Sequence, residues 1–147
     1  MRKMLNRGFT LLELLIVLAV IAILIGVALP RFKGMTDEGN IARAKAELRT
    51  LQTAVESYYI HNSQAYPAAL SDLTTATPQI VTAIPSDPFA ASGTAYVYTR
   101  GGTNNKYYII YSVSVAANGS AAISATNTVT ETNNPIYFSN ISVDTSP

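Results

Sequence analysis

From Phe9 to Leu29 the chain is apolar at every position except Thr10, Glu13 and Gly26. At about 1.5 Å rise per residue this run makes a helix of roughly 31 Å, enough to cross the hydrocarbon core of a bilayer. Beyond Pro30 the pattern changes but keeps its period. Ile41, Ala44, Leu48, Leu51, Val55 and Tyr58 follow at spacings of three and four, with Arg43, Lys45, Glu47, Arg49 and Glu56 off that stripe. The spacing predicts one helix from about Thr10 to Tyr59, apolar all round in its first half and amphipathic in its second. Pro30 leaves the carbonyl of Gly26 without its helical donor, and Gly26, Gly34 and Gly39 are weak helix formers. The stretch from Gly26 to Gly39 is therefore expected to be the bendable part, kinked in a monomer. The alternative is that Pro30 marks only the exit from a membrane.

After Asn62-Ser63 and Tyr66-Pro67 the helical period ends. Ser71-Asp72-Leu73 reads as a short helical turn, and prolines at 78, 85 and 88 keep the following stretch out of regular structure. Tyr96-Val97-Tyr98 predicts a first strand, Gly101 to Asn105 a turn, and Lys106 to Val115 the main strand. Of its two faces, Tyr107, Ile109, Tyr111, Val113 and Val115 are expected to pack on Leu48, Leu51 and Val55, with Tyr108, Ile110, Ser112 and Ser114 on the other. Asn118-Gly119 predicts a tight hairpin turn, Ala121 to Val129 a third strand, and Asn133-Asn134-Pro135 another turn. Ile136-Tyr137-Phe138 and Ile141 to Val143 are expected to add an edge strand or a docked tail. The fold class is α+β: a long N-terminal α-helix, half membrane segment and half amphipathic, packed on a small C-terminal antiparallel β-sheet.

The 147 residues leave room for one membrane segment and one small domain. The formal charge of +1 falls to about −2 without Arg2, Lys3 and Arg7. Past His61 only Asp72, Asp87, Arg100, Lys106, Glu131 and Asp144 are charged, so no basic patch offers itself to nucleic acid. The absence of cysteine excludes a disulfide framework, a thiol nucleophile and a cysteine-based metal site. His61 is the only histidine and reads as solvent-facing at the helix end. With no Gly-x-Ser-x-Gly elbow or phosphate loop, nothing points to an enzyme. Asp87, set among prolines, reads as ordering its loop by hydrogen bonding. The tyrosines at 58, 59, 96, 98, 107, 108 and 111 read as filling the helix–sheet core and rim, hydroxyls toward water; an exposed stacking row is the alternative. Two sequons, Asn118-Gly119-Ser120 and Asn140-Ile141-Ser142, are patterns that arise by chance.

A basic start before an apolar run also describes a secretory signal peptide, and Gly26-Val27-Ala28 resembles a weak cleavage site. Such signals carry an apolar region of about 7–15 residues, shorter than this run, and here the helical pattern continues beyond it. The string Arg7-Gly8-Phe9-Thr10-Leu11-Leu12-Glu13, the run after it and Pro30 resemble the class III signal of type IV pilins and pseudopilins. That resemblance implies cleavage by a prepilin peptidase between Gly8 and Phe9, and N-methylation of Phe9. It also implies transfer of the helix from the inner membrane into a helical filament. The chain then divides into a leader (1–8), a transmembrane and filament-core helix (9–30), an amphipathic helix half (31–62) and a globular domain (63–147). A lone carboxylate costs about 2.5–3.5 kcal/mol at mid-membrane and less near the end of the span. On this reading Glu13 meets the Phe9 amine, its own or a neighbour's, and the pair sets the register of assembly. The alternative is a Glu13 that snorkels to the interface unpaired. Gly26 and Pro30 let the helix bend during assembly.

The globular half resembles the major pseudopilin of type II secretion through Leu73-Thr74, Ile84-Pro85-Ser86-Asp87-Pro88-Phe89, Tyr96-Val97-Tyr98 and the strand from Tyr108 to Ser112. In that family a Leu-Pro-x-Asp-Pro-Trp segment precedes an aromatic strand, and Ile84 and Phe89 depart from it at the outer positions. The resemblance implies a homopolymer with an assembly platform protein and minor pseudopilins as partners. It places the chain in the inner membrane with a periplasmic domain, then in a periplasmic pseudopilus. The rival is a surface type IV pilin, in an extracellular pilus serving adhesion, motility or DNA uptake. A membrane-anchored binding protein that never polymerises is the reading from another class. The family's calcium loop uses several carboxylates, whereas Ser114-Val115-Ala116-Ala117-Asn118-Gly119 is followed by no acid until Glu131. A hard cation normally takes more than one carboxylate, so no cofactor is expected. Were calcium bound, Asp87, Asn118, Glu131 and Asp144 would supply the side-chain oxygen.

Overall fold

The computed structural model of the chain describes residues 9–141. The expected leader with Gly8, the end of the expected tail and Asp144 lie outside the described residues. The chain divides into two compact units, one up to Asp37 and one from Glu38.

The first unit is the apolar part of helix α1 (Leu11–His61). Thr10 opens it: the Glu13 amide donates to Thr10 Oγ1 at 3.2 Å and the Leu14 amide to the Thr10 carbonyl at 3.2 Å. The first of these satisfies one of the donors that a helix start leaves without partners, and the second is the first bond of the helical ladder. The helix continues through Gly26, Pro30, Gly34 and Gly39. These residues weaken α1 locally without ending it.

In the second unit α1 buries Ala44, Leu48, Leu51, Ala54 and Val55, with Ile41 and Tyr58 packed against that cluster. The expected stripe is the observed one, widened by Ala54. α1 ends at His61, and α2 (Asp72–Thr75) holds Leu73 in the same cluster. Asp72 orders the approach to α2 by accepting from the amides of Ala68 and Ala69 at 2.7 and 3.1 Å.

Five strands follow: β1 (Val97–Gly101), β2 (Tyr107–Ser112), β3 (Ser120–Ile123), β4 (Val129–Thr132) and β5 (Ile136–Ser139). β2 is central in an antiparallel sheet of order β1-β2-β5, while β3 and β4 form a separate hairpin. The stretch from Ile136 to Phe138 is thus an edge strand, as expected.

Three strand expectations are corrected. The helix-facing side chains of β2 are Tyr108 and Ile110, clustered with Leu48, Leu51 and Val55, whereas Ile109 packs on Ala121 and Tyr137. The β3–β4 hairpin covers the second face, so both faces of β2 are apolar and alternation cannot say which one meets the helix. Next, Ala121 to Val129 is two strands, not one. Asn127 takes a left-handed conformation (φ 59°), and the Ser124 amide bonds the Thr128 carbonyl at 2.9 Å to close a turn. Finally, Asn118-Gly119 does not join two paired strands. β2 stops at Ser112, and the Gly119 amide reaches back to the Val113 carbonyl at 2.8 Å across an irregular loop.

Candidate functional site

The first candidate surface is α1 up to Leu29. Fifteen large apolar side chains between Phe9 and Leu29 are each 44–81% exposed. Among the described residues α1 is the one helix long and apolar enough to cross a membrane, and its apolar window buries nothing within the chain. At roughly 1.5–3 kcal/mol for each large side chain kept in water, such a surface needs lipid or other helices around it. Phe9 and Glu13 lie exposed at its start. Glu13 is the third residue of α1, where a carboxylate is favoured by the positive end of the helix dipole. Thr10-x-x-Glu13 is also a capping-box spacing, a local signal that the sequence reading passed over. A methyl at Gly26 would meet nothing within 4 Å, so its surface is open as well.

The second unit is fixed by carboxylates that the sequence left unassigned. Tyr96 donates its hydroxyl to Glu47 Oε2 at 2.6 Å, and Tyr108 to Glu56 Oε1 at 2.7 Å. Glu56 also receives the Tyr66 hydroxyl, at 3.3 Å to Oε2, and Glu47 pairs with Arg43 at 2.8 Å. Tyr98 donates to the Pro67 carbonyl at 2.9 Å. The tyrosine hydroxyls expected to face water thus reach protein acceptors at three of the core positions. Burial, above all, pushes the phenols of Tyr96, Tyr98 and Tyr108 well above their ordinary value; for Tyr96 and Tyr108 the glutamate that accepts the hydroxyl adds to the shift.

Asp87 is buried, 4% exposed. Its Oδ1 accepts from the Phe89 amide at 3.0 Å and the Ser112 hydroxyl at 2.7 Å, and its Oδ2 from the Val113 amide at 2.9 Å. The loop-ordering role expected of it is the observed one, extended to strand β2, 25 residues away. Of the other proposed oxygen donors, Asn118 and Glu131 lie among the described residues: the main-chain carbonyl of Asn118 accepts from Asn133, and Glu131 stands exposed on β4 opposite Ala121. Among the described residues no three acidic or histidine side chains come together to hold a metal. His61 is exposed, its Nδ1 at 2.8 Å from the Ser57 carbonyl. A recess of about 640 Å³ lies at the end of α1 between Tyr59, Tyr66, Arg100, Lys106 and Tyr107. It contains neither a histidine nor a carboxylate, and nothing there forms a nucleophile–base pair.

Comparison with known proteins bears on both units. Residues 3–29 match the family described as the prokaryotic N-terminal methylation motif. Residues 31–129 match the family described as type II secretion system (T2SS), protein G. The chain is 38% identical over 64 residues to a fimbrial protein of Pseudomonas aeruginosa, covering 44% of this chain and 42% of that one. It is 33% identical over 67 residues to the type II secretion system core protein G of Klebsiella michiganensis, covering 46% of each. A third relative, the type IV major pilin protein PilA of Myxococcus xanthus, is 44% identical over 54 residues, covering 37% of this chain and 24% of that one. The chain thus spans less than half the length of these curated relatives. No solved structure gives a significant match.

Proposed function

The chain belongs to the family of type II secretion system protein G, and from that premise we propose that it is the major pseudopilin of such a system. Its role is structural, as the repeating subunit of a filament. The observation that carries this reading is the exposed apolar face of α1 from Phe9 to Leu29, joined to a small domain that has its own core. Lipid covers that face before assembly, and the same helices of neighbouring subunits cover it afterwards.

In the membrane the chain is anchored by α1, with its globular domain on the periplasmic side. A prepilin peptidase cuts between Gly8 and Phe9 and methylates the new amine. Glu13 then pairs with a Phe9 amine inside the filament, because an unpaired carboxylate among apolar helices is costly and a shared pair offsets that cost. Gly26 and Pro30 allow α1 to change its path as it leaves the bilayer. An assembly platform protein and minor pseudopilins complete the set of partners. A second reading, the subunit of a surface type IV pilus, is favoured by the fimbrial and pilin relatives.

The test is Glu13→Ala in cells that carry the assembly machinery. The variant is expected in the membrane fraction at wild-type level and absent from sheared filaments. Normal filament yield would overturn the pairing role of Glu13.

A further inference from the structure

The polar groups around the end of β2 form a closed set. Asp87 accepts three hydrogen bonds from Phe89, Ser112 and Val113, so each of its oxygens already carries a donor. Ser112 is fully buried beside it. Beyond that point the Ala117 amide bonds the Ser114 carbonyl at 2.8 Å, and the Gly119 amide closes the neck of the loop on Val113 at 2.8 Å. The tip is tied to the turn before β5: Asn133 Nδ2 donates to the Asn118 carbonyl at 3.2 Å, and Ser114 Oγ to the Asn133 carbonyl at 3.4 Å. Gly119 fits this neck because a methyl there would stand 2.7 Å from the Val113 carbonyl oxygen and 3.1 Å from Pro135 Cα.

A calcium site needs six to eight oxygens with free lone pairs, carboxylates prominent among them. In this region three of the about four lone-pair sites of Asp87 already accept N–H and O–H donors, the main-chain carbonyl of Asn118 accepts from the Asn133 amide, and the next described acid, Glu131, lies exposed on β4. The donor set does not fit the calcium that the family resemblance implies. We propose that the hydrogen-bonded clamp built on Asp87, Ser112, Ser114 and Asn133 takes the cation's place. A buried carboxylate held by three hydrogen-bond donors fixes the start of the 113–119 loop, and neutral amide and hydroxyl links tie the loop to the turn before β5. The folded domain is therefore independent of calcium and dependent on these side chains. The inference concerns the domain alone and stands apart from filament assembly.

The experiment is thermal unfolding of the full-length chain in detergent, followed by the near-ultraviolet circular dichroism of its tyrosines, with calcium chloride and with EDTA. Wild-type curves are expected to superimpose. Asp87→Asn turns one acceptor oxygen into a donor facing donors, and it is expected to lower the midpoint equally in both buffers. Should that variant fail to fold, Ser112→Ala and Asn133→Ala carry the test, each with a smaller loss that calcium does not restore. A wild-type midpoint raised by calcium or lowered by EDTA would overturn the proposal. So would Ser112→Ala and Asn133→Ala variants that both melt with the wild type.

Discussion

Tyr108→Phe isolates one link between helix and sheet. The ring of Tyr108 is fully buried against Leu48 and Leu51, and the substitution leaves it in place. What it removes is the 2.7 Å hydrogen bond to Glu56. A bond to an ionised acceptor contributes about 1.5–3 kcal/mol when well buried. Here Glu56 is only half-buried and keeps the longer contact from Tyr66, so water and a second donor compensate part of the loss. The expected cost is about 1–2 kcal/mol. For a unit of this size that lowers the midpoint by about 4–8 °C. The assay is thermal unfolding in detergent, with Tyr107→Phe as control; the Tyr107 ring lies half-buried on the opposite face of β2. The control should stay within about 0.5 kcal/mol of wild type. Glu56→Leu removes the acceptor and should cost at least as much, and the double variant should cost less than the two singles together, because both singles break the same bond. Equal midpoints for Tyr108→Phe and Tyr107→Phe would refute the claim that Glu56 fixes the sheet on α1.

Three further outcomes follow from the same geometry. Gly119→Ala forces a methyl against backbone at 2.7 and 3.1 Å and should cost about 1–3 kcal/mol by overpacking, read from the midpoint of the same melt. Gly26→Ala, where nothing lies within 4 Å, should leave the fold of the globular domain unchanged by circular dichroism. Stability should fall as the solution is made alkaline. Tyr66, Tyr96, Tyr98 and Tyr108 hold their protons above the ordinary tyrosine value, chiefly through burial. The unfolded chain ionises near about pH 10 and so binds fewer protons than the folded one above that pH, which favours unfolding there. Ultraviolet titration should find these phenols ionising late and together with unfolding; ordinary titration with the fold intact would contradict the burial argument.

The parts of the chain that could be read without coordinates are those whose signals are local. The motif from Arg7 to Glu13, the apolar run and the stripe from Ile41 to Tyr58 each state their structure within a few helical turns. The face of β2 could not be read, because Ile109 and Ile110 both point into apolar surroundings, one against the hairpin and one against α1. The turn inside Ala121 to Val129 was hidden by threonines that favour strands and lack any glycine or proline. There the hydroxyls of Ser124 and Thr128 bond each other at 2.6 Å and hold the turn. Glu47 and Glu56 read only as charges off the stripe, and the loop-ordering reading of Asp87 stops short of its bond to Ser112. Their partners lie 49, 52 and 25 residues away, and no spacing rule reaches that far.

A repeating subunit that assembles through α1 must be present along the whole filament. Immunogold electron microscopy with antibody against the globular domain reads this out on cells that carry the assembly machinery. The expected result is filaments decorated along their whole length. Label confined to the membrane of wild-type cells, with no decorated filament, would contradict the claim.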